Sequence, residues 1–308
     1  MTESQEPEDS SSAGIPLCVD LDGTLIRSDL LYEALARLSK GAFLPLIRAP
    51  FWLLKGKAGF KREVANRVAL EPSSLPFDER LIEYLRGEKG RGRRLVLATA
   101  SDVLWAKQVA AHLGLFDEVM GSDGVTNLVG ETKARALVAR FGGRGFDYAG
   151  NGPADLPVWK RARRAITVNA SRAIEDGLRQ DGSLVESFAP PPPTAKTLVE
   201  AIRMRQWVKN LLVFVPIITA HRLEDPGILA AGALAFAAIS LCASGVYLLN
   251  DLLDLDSDRK HPKKHSRPIA SGSLPIPLAA VLSLLLSERQ WLRVSRAKEF
   301  LEKTAKEI

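Results

Sequence analysis

The sequence predicts two unlike parts, a soluble α/β domain followed by an all-α transmembrane segment. Three observations carry this. From Ala13 to about Phe188, short apolar runs alternate with charged stretches of helical pattern, as in a soluble α/β domain. At the prolines 190–193 the chain changes character. Gly227–Leu249 is then 23 consecutive residues without a charge. At 1.5 Å per residue that run is long enough to cross about 30 Å of hydrocarbon; the plainer alternative is a buried core helix. The 308 residues leave room for about two domains. With 46% apolar and 25% charged residues, a disordered or collagen-like chain is excluded. A net charge of +6, from 42 Lys and Arg against 36 Asp and Glu, is too mild to argue for nucleic acid. No nucleic-acid partner is expected, and an anionic membrane surface suits the charge equally well. Two cysteines, Cys18 and Cys242, lie in unrelated apolar segments and fit a reducing compartment.

Taken in order, residues 1–14 carry four acidic residues, no basic ones and no apolar run, which reads as a disordered tail and not as a secretory signal. The α/β domain is expected over 15–188. Ile15–Val19 is a short apolar strand that delivers the chain to Asp20-Leu21-Asp22-Gly23-Thr24. Residues two apart in an extended chain point to one side, so Asp20 and Asp22 converge at the C-terminal edge of a sheet. Gly23 permits a sharp turn close to an anion. Two carboxylates this close repel unless one holds a proton or a cation sits between them, and Mg²⁺ suits all-oxygen ligands. Leu25–Arg93 is mostly helical in pattern. Arg94–Ala98 is a second strand ending at Thr99, with Ala100-Ser101-Asp102 opening a helix. Lys133 lies just before the helical stretch Ala134–Phe141. Phe146–Ala149 is a strand that ends in Gly150-Asn151-Gly152-Pro153-Ala154-Asp155, and Ala165–Asn169 is another. Each residue has a plainer reading: the aspartates as a turn, Thr99 as a helix cap, Lys133 as a surface lysine, Asp155 as the cap of the helix holding Trp159. Together, a nucleophilic carboxylate, a hydroxyl, a lysine and a closing acid at strand ends make a phosphoryl-transfer constellation.

DLDGT, a hydrophobic run ending in Thr99, Lys133 and a GNxxxD string resemble, in this order, the haloacid dehalogenase (HAD) superfamily over about Ile15–Ala173. The resemblance implies a Rossmann-like α/β domain with a small helical cap over residues 25–93. It makes Asp20 the nucleophile and Asp22 the general acid and base. Thr99 and Lys133 hold the phosphoryl oxygens. Mg²⁺ is expected at Asp20, the Asp22 carbonyl, Asn151 and Asp155. Asn151 stands where an acid is frequent, so the site loses a negative charge there.

Residues 189–197 read as a Pro-rich, extended linker. An amphipathic stretch from Leu198 leads through Trp207 and Lys209 into the apolar Leu211–Ala220, which either spans a bilayer with those two at the interface or lies along it. Gly227–Leu249 runs into Asn250 and Asp251, followed by Asp254 and Asp258. On a continued helix Asp251, Asp254 and Asp258 share one face, and three stacked carboxylates there favour divalent cations over a solvated surface. The following segment, Arg259 to Arg267, holds five basic residues in nine. These serve either as a positive-inside flank or to neutralise phosphate oxygens.

NDxxDxxxD followed by HPxKxxRPIASG resembles the UbiA family of intramembrane prenyltransferases over about Leu198–Leu286. RQWVKNLLVF and YLLND resemble the branch that moves phosphoribose onto a polyprenyl phosphate. This implies a UbiA-like helix bundle over 198–286 with two to three membrane helices. Asn250, Asp251, Asp254 and Asp258 would hold Mg²⁺ and diphosphate; Lys209, Arg259, Lys263 and Arg267 would contact phosphate or phosphoribose. The family implies about nine membrane helices and a second aspartate motif. Neither follows Asp258, and 287–308 is charged and helical in pattern, so the bundle is expected to be truncated. The combined expectation is a multi-pass protein of the cytoplasmic membrane with its HAD domain cytosolic. It would act on a polyprenyl phosphate and a phosphorylated or diphosphate donor. The alternatives are a phosphatase of soluble metabolites on a vestigial anchor, or a non-catalytic subunit completed by a separate chain.

Overall fold

The computed structural model describes residues 14–41, 49–189 and 195–287. Most of the expected N-terminal tail, the prolines of the linker and the charged C-terminal stretch beyond Ser287 lie outside them. The chain divides into two compact units, with the boundary between Pro192 and Pro193.

The first unit is built on six parallel strands: β1 (Leu17–Val19), β2 (Leu95–Asp102), β3 (Glu118–Ser122), β4 (Asp147–Gly150), β5 (Ala165–Val168) and β6 (Leu184–Phe188). Their spatial order is β3-β2-β1-β4-β5-β6, the doubly wound arrangement, and all five pairings are parallel. Helices cover both faces, so β1 is apolar and buried along its whole length. The period-two alternation sorts its side chains: Leu17 and Val19 enter one core with Leu97 and Val168, while Cys18 enters the other with Val96, Ala98 and Tyr148. Beneath the sheet Arg93, almost fully buried, donates to Glu88 Oε2 at 2.6 Å and pairs with Asp147, which Arg163 also grips at 2.9 and 2.7 Å.

The span read as a cap contains α1 (Leu30–Gly41), α2 (Ala49–Leu53), α3 (Gly56–Ala65) and α4 (Glu79–Gly90). The last is a crossover helix and not cap: it feeds directly into β2, and its Leu81, Ile82 and Leu85 pack in the same core as Leu95 and Leu97. The opening of the next helix also differs from the expectation. β2 runs on through Thr99 to Asp102, and α5 (Val103–Leu113) begins one residue later, its N-cap Asp102 accepting from Leu104 N at 2.9 Å. Lys133 lies inside the first turn of α6 (Glu131–Phe141). Leu156–Trp159 (α7) and Arg172–Gln180 (α8) complete the layers.

The second unit holds α9 (Ala195–Ala201), a 3-10 stretch Met204–Phe214, α10 (Val215–Thr219), α11 (Pro226–Leu253), α12 (Leu255–Lys260) and α13 (Ile276–Ser287). Asp225 caps α11, its carboxylate accepting from Gly227 N and Ile228 N, and Pro226 occupies the first turn where its missing N–H costs nothing. Among the described residues α11, 28 residues long, is the one helix long and apolar enough to cross a membrane. Leu211–Ala220, a possible crossing by sequence, is instead the end of the 3-10 stretch followed by five-residue α10, too short for a span. α13 covers only 12 residues. Polar side chains bind this stretch to α11: Asn210 Nδ2 donates to Ser240 Oγ at 3.0 Å and Trp207 Nε1 to Ser244 Oγ at 3.1 Å.

Candidate functional site

In a doubly wound sheet the crevice for a ligand opens where strand order reverses, here between β1 and β4 at their carboxyl ends. Asp20 follows β1, Asn151 follows β4, and α6 brings Lys133 across from 113 residues away. Lys133 Nζ donates to Asp20 Oδ1 at 2.7 Å and to Tyr148 Oη at 2.9 Å. Tyr148 passes a hydrogen bond on to Asp155 Oδ1 at 2.6 Å, and Lys133 itself lies 3.5 Å from that oxygen. All four side chains are buried. Burial pushes the Asp20 carboxyl up, the Lys133 ammonium opposes this, and neighbouring Asp155 and Asp22 add to it; the result is about 7. The Lys133 ammonium, which burial alone would make less basic, is instead held above its usual value by Asp20 and Asp155.

Asp22 is held from two sides. Its Oδ1 accepts from Leu30 N at the start of α1 at 2.9 Å. Its Oδ2 accepts from Ser101 Oγ at 2.6 Å and from Thr99 Oγ1 at 3.4 Å. Burial, joined by the Asp29 charge, raises its carboxyl to about 6 against those hydrogen bonds. Gly23, at φ +75, makes the turn between the two aspartates and the cap. A Cβ there would come within 2.2 Å of Asn151 Nδ2, so any other residue would push the Asn151 side chain aside and sit in a left-handed conformation that favours glycine.

The expected metal ligands separate into two kinds. Asp155 is corrected to an organising role: Oδ1 accepts from Tyr148, and Oδ2 from Asn151 N at 3.0 Å and Gly152 N at 3.2 Å, so both oxygens are committed to holding the β4 loop. Asp20 Oδ2 and the Asn151 side-chain oxygen carry no hydrogen bond among the described residues, and the two residues follow the carboxyl ends of the neighbouring strands β1 and β4. With the Asp22 carbonyl they would offer oxygens carrying one negative charge, the donor type that a hard divalent cation takes. No three His, Cys, Asp or Glu side chains converge as a metal cluster among the described residues.

In the second unit the aspartate motif is arranged differently from the expectation. The helix does not continue: α11 ends at Asp254, whose φ of −92° and ψ of 11° break the register. Asn250 and Asp254 are exposed, while Asp251 and Asp258 are buried. Arg267 Nη1 bridges the buried pair, 3.0 Å from Asp251 Oδ1 and 2.5 Å from Asp258 Oδ2. Arg203 also pairs with Asp251 and stacks on the Tyr247 ring at 4.8 Å. Lys264 reaches Asp258 at 3.7 Å, whereas the expected Lys263 is exposed. Arg259 Nε donates to the Ala270 carbonyl at 2.9 Å, and Lys209 is exposed outside this network.

Sequence reading missed Tyr148, Ser101, Arg203 and Lys264. Tyr148 was detectable in principle, because a phenol inside a wholly buried strand must find a partner for its hydroxyl. Arg203 offers no local signal; 48 residues separate it from Asp251.

Residues 17–160 match the family model of haloacid dehalogenase-like hydrolases, and residues 211–287 that of the UbiA prenyltransferase family. An uncharacterized protein of Sinorhizobium fredii is 36% identical over 264 residues, covering 85% of this chain and 51% of that protein. The decaprenyl-phosphate phosphoribosyltransferase of Mycobacterium tuberculosis is 43% identical over 101 residues, 32% of this chain and 33% of the enzyme. The nodulation protein NoeC of Azorhizobium caulinodans is 48% identical over 79 residues, 25% of each chain. The chain thus spans about half the length of the first relative and a third or less of the others. It carries an HAD hydrolase domain over residues 17–160 and a UbiA-family domain over residues 211–287.

Proposed function

We propose that the first unit is a Mg²⁺-dependent phosphohydrolase, held at the cytosolic face of the cytoplasmic membrane by the second. The observation that carries the chemistry is the Lys133 ammonium, 2.7 Å from Asp20 Oδ1 at the strand-order reversal. There the ammonium opposes the effect of burial on the Asp20 carboxyl and fixes one of its oxygens beside the crevice. An Asp20 oxygen attacks phosphorus, the bond to the leaving oxygen breaks, and that oxygen takes the proton from Asp22. Asp22, now a carboxylate, removes a proton from water; the hydroxide displaces Asp20, releasing inorganic phosphate. Ser101 and the Leu30 amide fix the Asp22 rotamer for both transfers. Thr99 and Lys133 hold the phosphoryl oxygens. Asp20, the Asp22 carbonyl and Asn151 would hold Mg²⁺, which when bound supplies charge compensation to the phosphoryl group.

For the second unit we infer binding of a polyprenyl phosphate and a phosphorylated or diphosphate donor. This is supported by the likeness to phosphoribosyltransferases and by α11 beside an acidic and basic cluster. The phosphatase would then remove the sugar phosphate from a lipid-borne phosphoribosyl product. A phosphate-release assay with such a lipid and with p-nitrophenyl phosphate tests this. Asp20→Asn should abolish release from both; release at the wild-type rate would refute it. One observation favours a second reading, in which the second unit only anchors a phosphatase of soluble metabolites. Arg203 and Arg267 already neutralise Asp251 and Asp258. An anchor should be indifferent to Asp251→Asn and Asp254→Asn, whereas a ligand site should lose lipid-phosphate binding.

A further inference from the structure

Helix α2 lies in the cap and presents two unlike faces. Trp52 points inward, buried in the core with Val64 and Val68, and the Arg67 guanidinium sits 4.5 Å over its ring. Outward stand Phe51 at 68% exposure, Leu53 at 57% and Leu54 at 83%, three large apolar side chains in four residues. Scattered exposed leucines are ordinary in a soluble domain; a cluster of three on one short helix and the residue after it is the pattern of a contact surface. Lys55 and Lys57 follow it directly, both exposed, and Glu63 is the carboxylate that pairs with Lys55.

The patch is coupled to the catalytic edge. The next helix, α3, carries Lys61, whose Nζ donates to the Ala100 carbonyl at 2.7 Å, and Arg62, whose Nε donates to buried Asp102 at 2.7 Å. Both partners lie at the carboxyl end of β2, beside Thr99 and Ser101. Whatever holds α2 therefore holds the rim of the crevice.

We propose that Phe51, Leu53 and Leu54 dock the cap into the interface of an anionic bilayer, so that the phosphatase takes its phosphomonoester from a lipid at the membrane surface. The inference rests on the phosphohydrolase reading above and on α11 as the tether. Apolar side chains entering the headgroup region with lysines at their edge match the pattern of interfacial segments, in which the cations meet anionic lipid phosphates. α11, of crossing length and little buried, would as a span keep such a surface near the first unit. A weak patch is then enough, because the tether has already met the cost of bringing the surfaces together.

The test uses the full chain in vesicles of phosphatidylglycerol and phosphatidylcholine, with Cys242→Ala as background; Cys18 is buried and does not label. A polarity-sensitive dye is placed at Leu54→Cys or, for comparison, at Asp176→Cys on the charged surface of α8. The expected result is about two-fold quenching by brominated lipids at position 54 and none at 176. No quenching at 54 overturns the proposal. A blue shift there without lipid quenching overturns it too, and points to a second copy of the chain. In the second arm, Phe51→Ser with Leu53→Ser and Leu54→Ser should lower kcat/KM about ten-fold on a vesicle-borne phosphomonoester, with p-nitrophenyl phosphate turnover unchanged. Undiminished turnover of the lipid overturns the proposal. If the wild type releases no phosphate from either substrate, the phosphatase reading fails, while the quenching still decides the docking.

Discussion

Replacing Tyr148 by Phe removes a single oxygen from the centre of the candidate active site. The ring stays packed edge-on against Trp159, with centroids 6.2 Å apart, so no cavity opens. What is lost is the acceptor for Lys133 at 2.9 Å and the donor to Asp155 at 2.6 Å. A hydrogen bond to a charged group contributes roughly 1.5–3 kcal/mol, and two are removed. Lys133 keeps Asp20 and lies near enough to Asp155, at 3.5 Å, to recover part of this. The net cost expected is about 2 kcal/mol, a fall in the unfolding temperature of the first unit on the order of 4–8 °C for a domain of this size. Activity should fall further than stability implies. With Asp155 no longer anchored, the β4 loop that carries Asn151 loosens, and phosphate release should drop about ten-fold with little change in KM. Thermal unfolding followed by tryptophan fluorescence and a phosphate-release assay on the same preparation measure both. If the variant melts within about 1 °C of wild type and turns over as fast, the Lys133–Tyr148–Asp155 relay has no structural role.

Three further outcomes follow from buried charge. Arg93→Met removes one of the two arginines on Glu88 and one of the two on Asp147, both carboxylates buried; a loss of about 3 kcal/mol is expected in urea unfolding, and a loss below 1 would contradict it. Burial opposes ionisation of Asp78, but the hydrogen bonds from Arg80 and Asn169 and the Arg27 charge outweigh it, so its carboxyl falls from 3.8 to about 2. Its contribution, at most about 2 kcal/mol, is therefore complete above pH 4 and lost as the pH falls towards 2. Asp78→Asn should flatten the stability profile in that window alone. Arg267→Gln leaves Asp251 and Asp258 facing each other with less compensation, so thermal stability in detergent should fall, and Asp258→Asn in the same chain should restore part of it.

The α/β character of the first unit was legible because four of its strands, β1, β2, β4 and β5, are buried almost throughout and therefore read as apolar runs. The place of Asp20 and Asp22 was legible because the buried strand before them is an apolar run, whereas Thr99 lies inside β2 and Lys133 in the first turn of α6, and their approach to the aspartates is a tertiary fact. Two strands escaped. β3 begins with Glu118 and ends in Gly-Ser, and β6 is half-exposed at the sheet edge, so neither forms an apolar run. Asp155 read as a ligand because type and position matched; that its oxygens are committed to Tyr148 and two amides is a tertiary fact. In the second unit the even spacing of Asp251, Asp254 and Asp258 predicted one acidic face. The break at Asp254 divided it, and arginines from outside the motif neutralised what remained.

The position of β1 at the middle of the sheet has a consequence for synthesis. Its three residues pair with partners about 80 and 130 positions further along, at Leu95 and Asp147. No hairpin or local contact rewards the strand in the meantime, so a long stretch of chain must leave the ribosome before Leu17–Val19 can be paired. By then the apolar α11 follows within roughly 80 residues, still close behind the sheet that is closing. A synonymous or ribosomal change in elongation rate between codons 95 and 226 should therefore alter the yield of folded protein more than the same change near the start. In that interval an unpaired central strand and a long apolar segment are in play together.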